Sequence, residues 1–199
     1  MSVDSLGVKS RVRLMLAEEE LCIACLNRFL SKKKQKLVPA GGYEDKVKKT
    51  DAFLVEIGNE TDVTKRCAIK VRTTTGKKKN ELYDDILVAV RDPFYGLDHE
   101  KTKVGRDVTL DYHWYIVRDK EKTTLRVADG KEVHRIIDDM WEEWCDPKFL
   151  GNVLSSKKHP GCQMRKHYDA HDGHPKILGF IPPTYLKKDV FFVPYKEDE

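Results

Sequence analysis

Asp51, Lys70 and Arg72 are residues whose types and spacing could do chemistry together. Asp51 opens the run "DAFLVEIG", and Lys70 and Arg72 lie in "CAIKVRTT", with the polar turn "NETDVTKR" between them. Two short β-rich runs joined by a polar turn read as an antiparallel hairpin. Period-two alternation then puts Cys67, Ile69 and Val71 on one face, and Ala68, Lys70 and Arg72 on the other. Two cations aimed the same way from one strand suit an anionic partner. Lys77, Lys78 and Lys79 follow on the same segment, and Lys33 and Lys34 lie upstream in "SKKKQK". Both groups are candidate contacts to a polyanion, against the plainer reading of solvated lysine-rich faces.

A second set lies near the C-terminus: Cys145, His159, Cys162, His167, His171 and His174. Cys162, His167 and His171 could supply three zinc ligands, with Cys145 or His174 as the fourth. The Gly- and Pro-rich surroundings suit a segment held by a metal, but zinc-finger spacing is not met. Asp169 and Asp172 beside these histidines leave a water-activating role open, against a surface loop as the plainer reading. The pair Cys22 and Cys25 is formally C-x-x-C. It falls mid-helix on an apolar stripe, so core packing is expected rather than redox chemistry.

These residues need elements to position them. Residues 9–36 carry apolar positions at steps of three and four (Leu14, Ala17, Leu21, Ala24, Cys25, Phe29), which predicts a helix with lysines at its C-terminal end. "PAGGY" breaks it. The hairpin follows, then "DILVAV", nearly all apolar and expected as a strand buried on both faces. "HWYIV" and "TLRVA" predict two more strands. Trp114, Tyr112 and Tyr115 could stack bases there, though core packing is the expectation. Residues 131–144 predict a helix whose stripe is Val133, Ile136, Ile137, Met140, Trp141 and Trp144. Residues 145–199 read as an irregular extension packed on the same domain, with "DVFFVPY" as a closing strand. The expected organisation is an α/β-like core over 1–144, of α+β class, with a mixed central sheet flanked by helices.

With "TD" at Asp51 and "KVR" at Lys70 to Arg72 in place, the chain resembles the PD-(D/E)XK nuclease superfamily over roughly residues 10–144. In that family an Asp near one strand and an acid-any-Lys triplet on the next bind a metal and activate water. The resemblance implies a restriction-endonuclease-like core, Mg²⁺ as cofactor, Asp51, Lys70 and Arg72 at the catalytic positions, and DNA or RNA as partner. The motif is altered here: Lys70 stands at the acid position and Arg72 at the lysine position. Lys70 repels a cation, and Arg72 stays protonated and cannot act as a base. Asp51 therefore needs further ligands, from Glu19 or Glu20, from Glu56, or from Asp84 and Asp85. Binding of nucleic acid is expected ahead of its hydrolysis. The alternative is a non-enzymatic protein–protein interaction module docking through the helix at 131–144 or the tail.

Composition narrows the remaining classes. The net charge of +4 is small, but residues 31–80 hold 14 Lys/Arg against 6 Asp/Glu, and residues 81–145 hold 10 against 16. The basic block is the candidate polyanion surface. The longest apolar runs are far short of a membrane span, and "MSVDSLGVKSRVRL" lacks a signal core. Five cysteines, an odd number at irregular spacing, fit reduced thiols. A cytoplasmic or nuclear location is expected. No P-loop, G-x-G-x-x-G, G-x-S-x-G or H-E-x-x-H motif occurs, which argues against nucleotide hydrolases, dinucleotide enzymes, serine hydrolases and zincin proteases.

Overall fold

The structure is a computed structural model and describes residues 3–41, 50–70, 85–92, 97–98, 114–118, 124–168, 175–182 and 189–194. Helix α1 spans Val3–Leu30. Its buried stripe in the last turns is Cys22, Cys25, Leu26 and Leu30, with Ile23 beside it, while Ala24 is exposed. Of the expected stripe, Cys25 is buried and Leu21 and Phe29 pack half-buried against the same core, while Ala17 and Ala24 are exposed, so the stripe is turned slightly from the expected one. The helix also stops earlier than expected. A 3-10 turn at Ser31–Lys33 and a left-handed Lys34 (φ 56°) lead into strand β1, Gln35–Pro39. Leu37 is the one buried residue of β1, which is why the lysines around it read as a helix end.

Strand β1 pairs with β2 (Ala52–Glu56), and β2 turns at Gly58 into β3 (Asn59–Lys70). Gly58 sits at φ +94°, a conformation that costs glycine little. Strand β4 spans Ile86–Asp92 and β5 Leu97–Asp98. Strands β6 (Trp114–Arg118) and β7 (Thr124–Asp129) lead into helix α2, Gly130–Trp144. The Asp129 carboxylate accepts from the Lys131 N–H at 2.7 Å and starts that helix. Strands β8 (Val153–Ser155), β9 (Gln163–Tyr168), β10 (Pro175–Ile181) and β11 (Asp189–Pro194) follow.

The described strands form two sheets. The first has the order β1-β2-β3-β6-β7-β11, and only its β3–β6 pair is parallel. The second has the order β5-β4-β10-β9-β8 and is antiparallel throughout. The fold is α+β and mostly sheet. Two sheets stand where one mixed central sheet was expected, and "DILVAV" belongs to the second. Residues 145–199, expected as an irregular extension, supply β8 to β11. β10 pairs with β4 and β11 with β7, so both sheets draw strands from either side of residue 144.

Two cores follow from side-chain alternation. Helix α1 covers one face of the first sheet, packing Cys22, Cys25, Leu26 and Leu30 with Leu37, Leu54, Cys67, Ile69 and Ile116. The other face contributes Ala68, Tyr115, Val117 and Ala128 to a core shared with α2 and the second sheet. There Ile136, Ile137 and Met140 meet Val88, Val90, Met164 and Ile177. Gly179 allows the close approach: a Cβ there would overlap Ile137 Cδ1 and lie 3.6 Å from Met140 Cε. Asn27 ties α1 to the edge strand, donating to the Leu37 carbonyl at 2.9 Å and accepting from its N–H at 2.6 Å. That satisfies outward backbone groups at a sheet edge.

Candidate nucleic-acid interface

The hairpin places Asp51 where the β2–β3 ladder ends. Ala52 is in register with Cys67, and one step further the Asp51 carboxylate takes over from the backbone: Oδ2 accepts from the Ile69 N–H at 2.6 Å. The Asp51 N–H donates to the Cys67 carbonyl at 3.1 Å, and its own carbonyl accepts from Ala40 at 3.0 Å. Asp51 therefore pins β1, β2 and β3 together, beside the position in β3 that precedes Lys70. The backbone of Lys70 is in register with Val117 of β6. The Lys70 side chain and Arg72, Lys77, Lys78 and Lys79 lie outside the described residues.

The residues described do not fit a Mg²⁺ site. One oxygen of Asp51 is engaged by the β3 backbone, Glu20 is exposed on α1, and Glu56 is exposed at the end of β2. Among the described residues no group of three or more His, Cys, Asp or Glu side chains is arranged to hold an ion. The residues expected for zinc separate in the same way. Cys145 is exposed just past α2, and His167 is exposed on β9. Cys162 is fully buried in the shared core, where loss of solvent pushes its thiol up to about 12. His171 lies outside the described residues.

The basic corner predicted around Lys33 and Lys34 is exposed but mixed in sign. Lys33 lies 5.0 Å from the Phe29 ring centroid, and Lys36 pairs with Glu60. Glu56, Glu60 and Asp62 surround the adjacent hairpin turn in sequence, and the Ile57 N–H donates to the Lys34 carbonyl at 2.9 Å. Trp114 and Tyr115 are buried, as expected for core packing, so neither presents a ring to a base.

A network not singled out by sequence lies at the end of α2. His159, nearly fully buried, meets Asp139 with Nε2 2.6 Å from Oδ2. The hydrogen bond from His159 is the main cause that holds the Asp139 carboxyl below the ordinary carboxylate range, with Lys158 and Arg135 adding to it. Burial pushes the Glu143 carboxyl up, but hydrogen bonds outweigh it and the net shift is downward. Those bonds come from Ser156 Oγ at 2.6 Å and the N–H groups of Lys157 and Lys158 at 2.8 and 3.2 Å. Ser156 Oγ also accepts from the His159 N–H at 2.9 Å. The hydroxyl thus donates to Glu143 and the imidazole Nε2 addresses Asp139. This is a clamp on the loop 156–162, not a nucleophile–base arrangement.

The second sheet carries a different surface. Met164 of β9 and Ile177, Gly179 and Ile181 of β10 point into the core. Alternation then sends Gln163, Arg165 and His167 outward, opposite Phe180, Leu178 and Lys176 in register. Leu87 and Ala89 of β4 continue this outer face opposite Phe180 and Leu178, and Val153 of β8 lies opposite Arg165. The Arg165 guanidinium lies 5.0 Å from the Phe180 ring centroid. Gln163 Oε1 holds it there, accepting from both Nε and Nη2 of Arg165. Among the described side chains that β4, β8, β9 and β10 send outward, none is a carboxylate; Asp85 lies at the bend before β4. The face combines Arg165, Lys176 and His167 with half-buried apolar residues, and the Arg165 guanidinium lies over the Phe180 ring. Its sequence signal is the alternation of polar Gln163, Arg165 and His167 around one buried Met164, which is weak because "QMRKHY" offers so little apolar material.

Compared with known proteins, the chain matches no protein-family model, no curated protein and no solved structure.

Proposed function

We propose that this protein binds nucleic acid, and that the outer face of the second sheet is its contact surface. The supporting observation is the register of that face: Arg165, His167 and Lys176 gather on adjacent strands, with no carboxylate among its described outward side chains. A phosphate backbone is the polyanion such a face complements. The basic segment from Lys77 to Lys79 would add to the same electrostatic attraction without fixing its site. Hydrolysis through Mg²⁺ is not part of the proposal, because the described carboxylates do not assemble around Asp51. Docking of a partner protein through α2 has little support either, since Val133, Ile136, Ile137, Met140 and Trp141 are all buried in the shared core.

The test is a gel-shift titration at low salt against mixed DNA and RNA oligonucleotides. The proposal expects saturable binding that the charge reversal Arg165→Glu weakens by about tenfold, from loss of a cation on the face and added repulsion of the strand. Arg165 is exposed, and a thermal melt of the variant checks that the fold is kept. Equal binding by the wild type and Arg165→Glu would remove the outer face from the account.

A further inference from the structure

We infer that the strand recognised by this outer face is single, with unpaired bases laid against the sheet; the inference rests on the nucleic-acid reading above. The observation that carries it is the Arg165 guanidinium, held by Gln163 over the Phe180 ring. Both Nε and Nη2 of Arg165 are donated to one acceptor, Gln163 Oε1, and the guanidinium lies 5.0 Å from the Phe180 centroid. Such a guanidinium is oriented as a plane rather than left as a free-ranging charge. An oriented guanidinium plane backed by an aromatic ring is a stacking surface for a nucleobase.

The surroundings agree with a base rather than a phosphate groove as the main ligand. Leu178 lies directly opposite Arg165 on β10, and Val153 lies directly opposite it on β8. Ala89 is opposite Leu178 and Leu87 is opposite Phe180. Val153 is 54% exposed and Arg165 is exposed, so the apolar strip around the stack reaches solvent. A duplex presents its phosphates outward and is read by elements that project into a groove. Around Arg165 this face presents half-buried Leu87, Leu178 and Phe180 rather than further cations. Unpaired bases instead expose π faces and apolar edges, which this strip matches. His167 and Lys176, paired in register at one end of the face, are placed to meet the backbone of the same strand. Stacking is tolerant of base identity, so broad sequence preference is expected.

The experiment is fluorescence anisotropy with a labelled single strand of about 16 nucleotides, in DNA and RNA forms, against the matching duplex, at about 50 mM salt. The full chain is compared with Arg165→Lys and Arg165→Gln, with thermal melts run alongside. The single strand is expected to bind at least about tenfold more tightly than the duplex. Arg165→Lys keeps the charge but loses the plane, and is expected to weaken single-strand binding by about fivefold with little effect on the duplex. Duplex binding as tight as single-strand binding, or Arg165→Lys indistinguishable from wild type, overturns this inference while leaving nucleic-acid binding in place. Absence of binding to every form at this salt overturns both.

Discussion

The Asp51 carboxylate accepts the Ile69 N–H at 2.6 Å, so the acid that precedes β2 is a joint in the sheet. Its role is testable without any activity. Asp51→Ala leaves a backbone N–H in the half-buried strand end without that acceptor, a loss of about 1–3 kcal/mol. Asp51→Asn keeps an acceptor oxygen and should cost much less. Denaturant unfolding of the two variants checks this. Equal, small effects for both would show that the carboxylate does not hold the strand junction.

The clamp between α2 and the loop 156–162 predicts an acid-sensitive stability. Asp139 and Glu143 both have carboxyls held below their ordinary range in the fold, the first mainly by His159, the second by Ser156 and the Lys157 and Lys158 N–H groups against its burial. A depressed carboxylate stabilises the folded state above its unfolded pKa, and that stability is lost as pH falls through the folded one. Melting temperature should therefore drop below about pH 4. The double variant Asp139→Asn with Glu143→Gln should melt lower at neutral pH and show a shallower acid decline. Removing His159 by His159→Ala should cost about 2 kcal/mol, since it deletes a hydrogen bond to a charged group and leaves a hole.

Gly179 predicts a packing effect with a rescue. A methyl group there overlaps Ile137 Cδ1, so Gly179→Ala should destabilise by about 1–3 kcal/mol. Ile137→Val removes that Cδ1 atom. In the double variant the combined loss should fall short of the sum of the single losses, and a thermodynamic cycle measures the difference. Strict additivity would mean that the helix shifts instead of the side chain.

Much of the first sheet was legible because its signals are local. The β2–β3 hairpin followed from two β-rich runs and a polar turn, and Cys67 and Ile69 face α1 while Ala68 faces the other core, as alternation requires. Helix α2 followed from a stripe that the structure buries from Val133 to Trp141, leaving Trp144 half-buried against Phe149 at 5.0 Å. Beyond β4, expected as a strand from "DILVAV", the second sheet was illegible for the opposite reason. β9 contributes one buried apolar residue, Met164, and β10 joins β4 across a long stretch of chain. Pairing of that kind is set by tertiary contacts, not by a local pattern. The same holds for the outer face. Arg165 and Phe180 become neighbours only once the β9–β10 register is fixed, and neither residue signals the other in the sequence. The acidic ends of α2 were visible as "DDMWEEW", but nothing local tied Asp139 to His159 or Glu143 to Ser156.

The central claim is that a basic, stacked sheet face takes the nucleic-acid backbone and bases, and the most direct measurement is the salt slope of binding to a single-stranded oligonucleotide. Each phosphate contact contributes about −0.7 to the slope of log K against log salt. The wild type should lose roughly tenfold in affinity between about 50 and 200 mM salt. The variant with both Arg165→Gln and Lys176→Gln should bind more weakly, and the lost Lys176 phosphate contact should make its slope shallower by about 0.7. A flat salt response in the wild type, or an unchanged slope in the variant, would contradict the account.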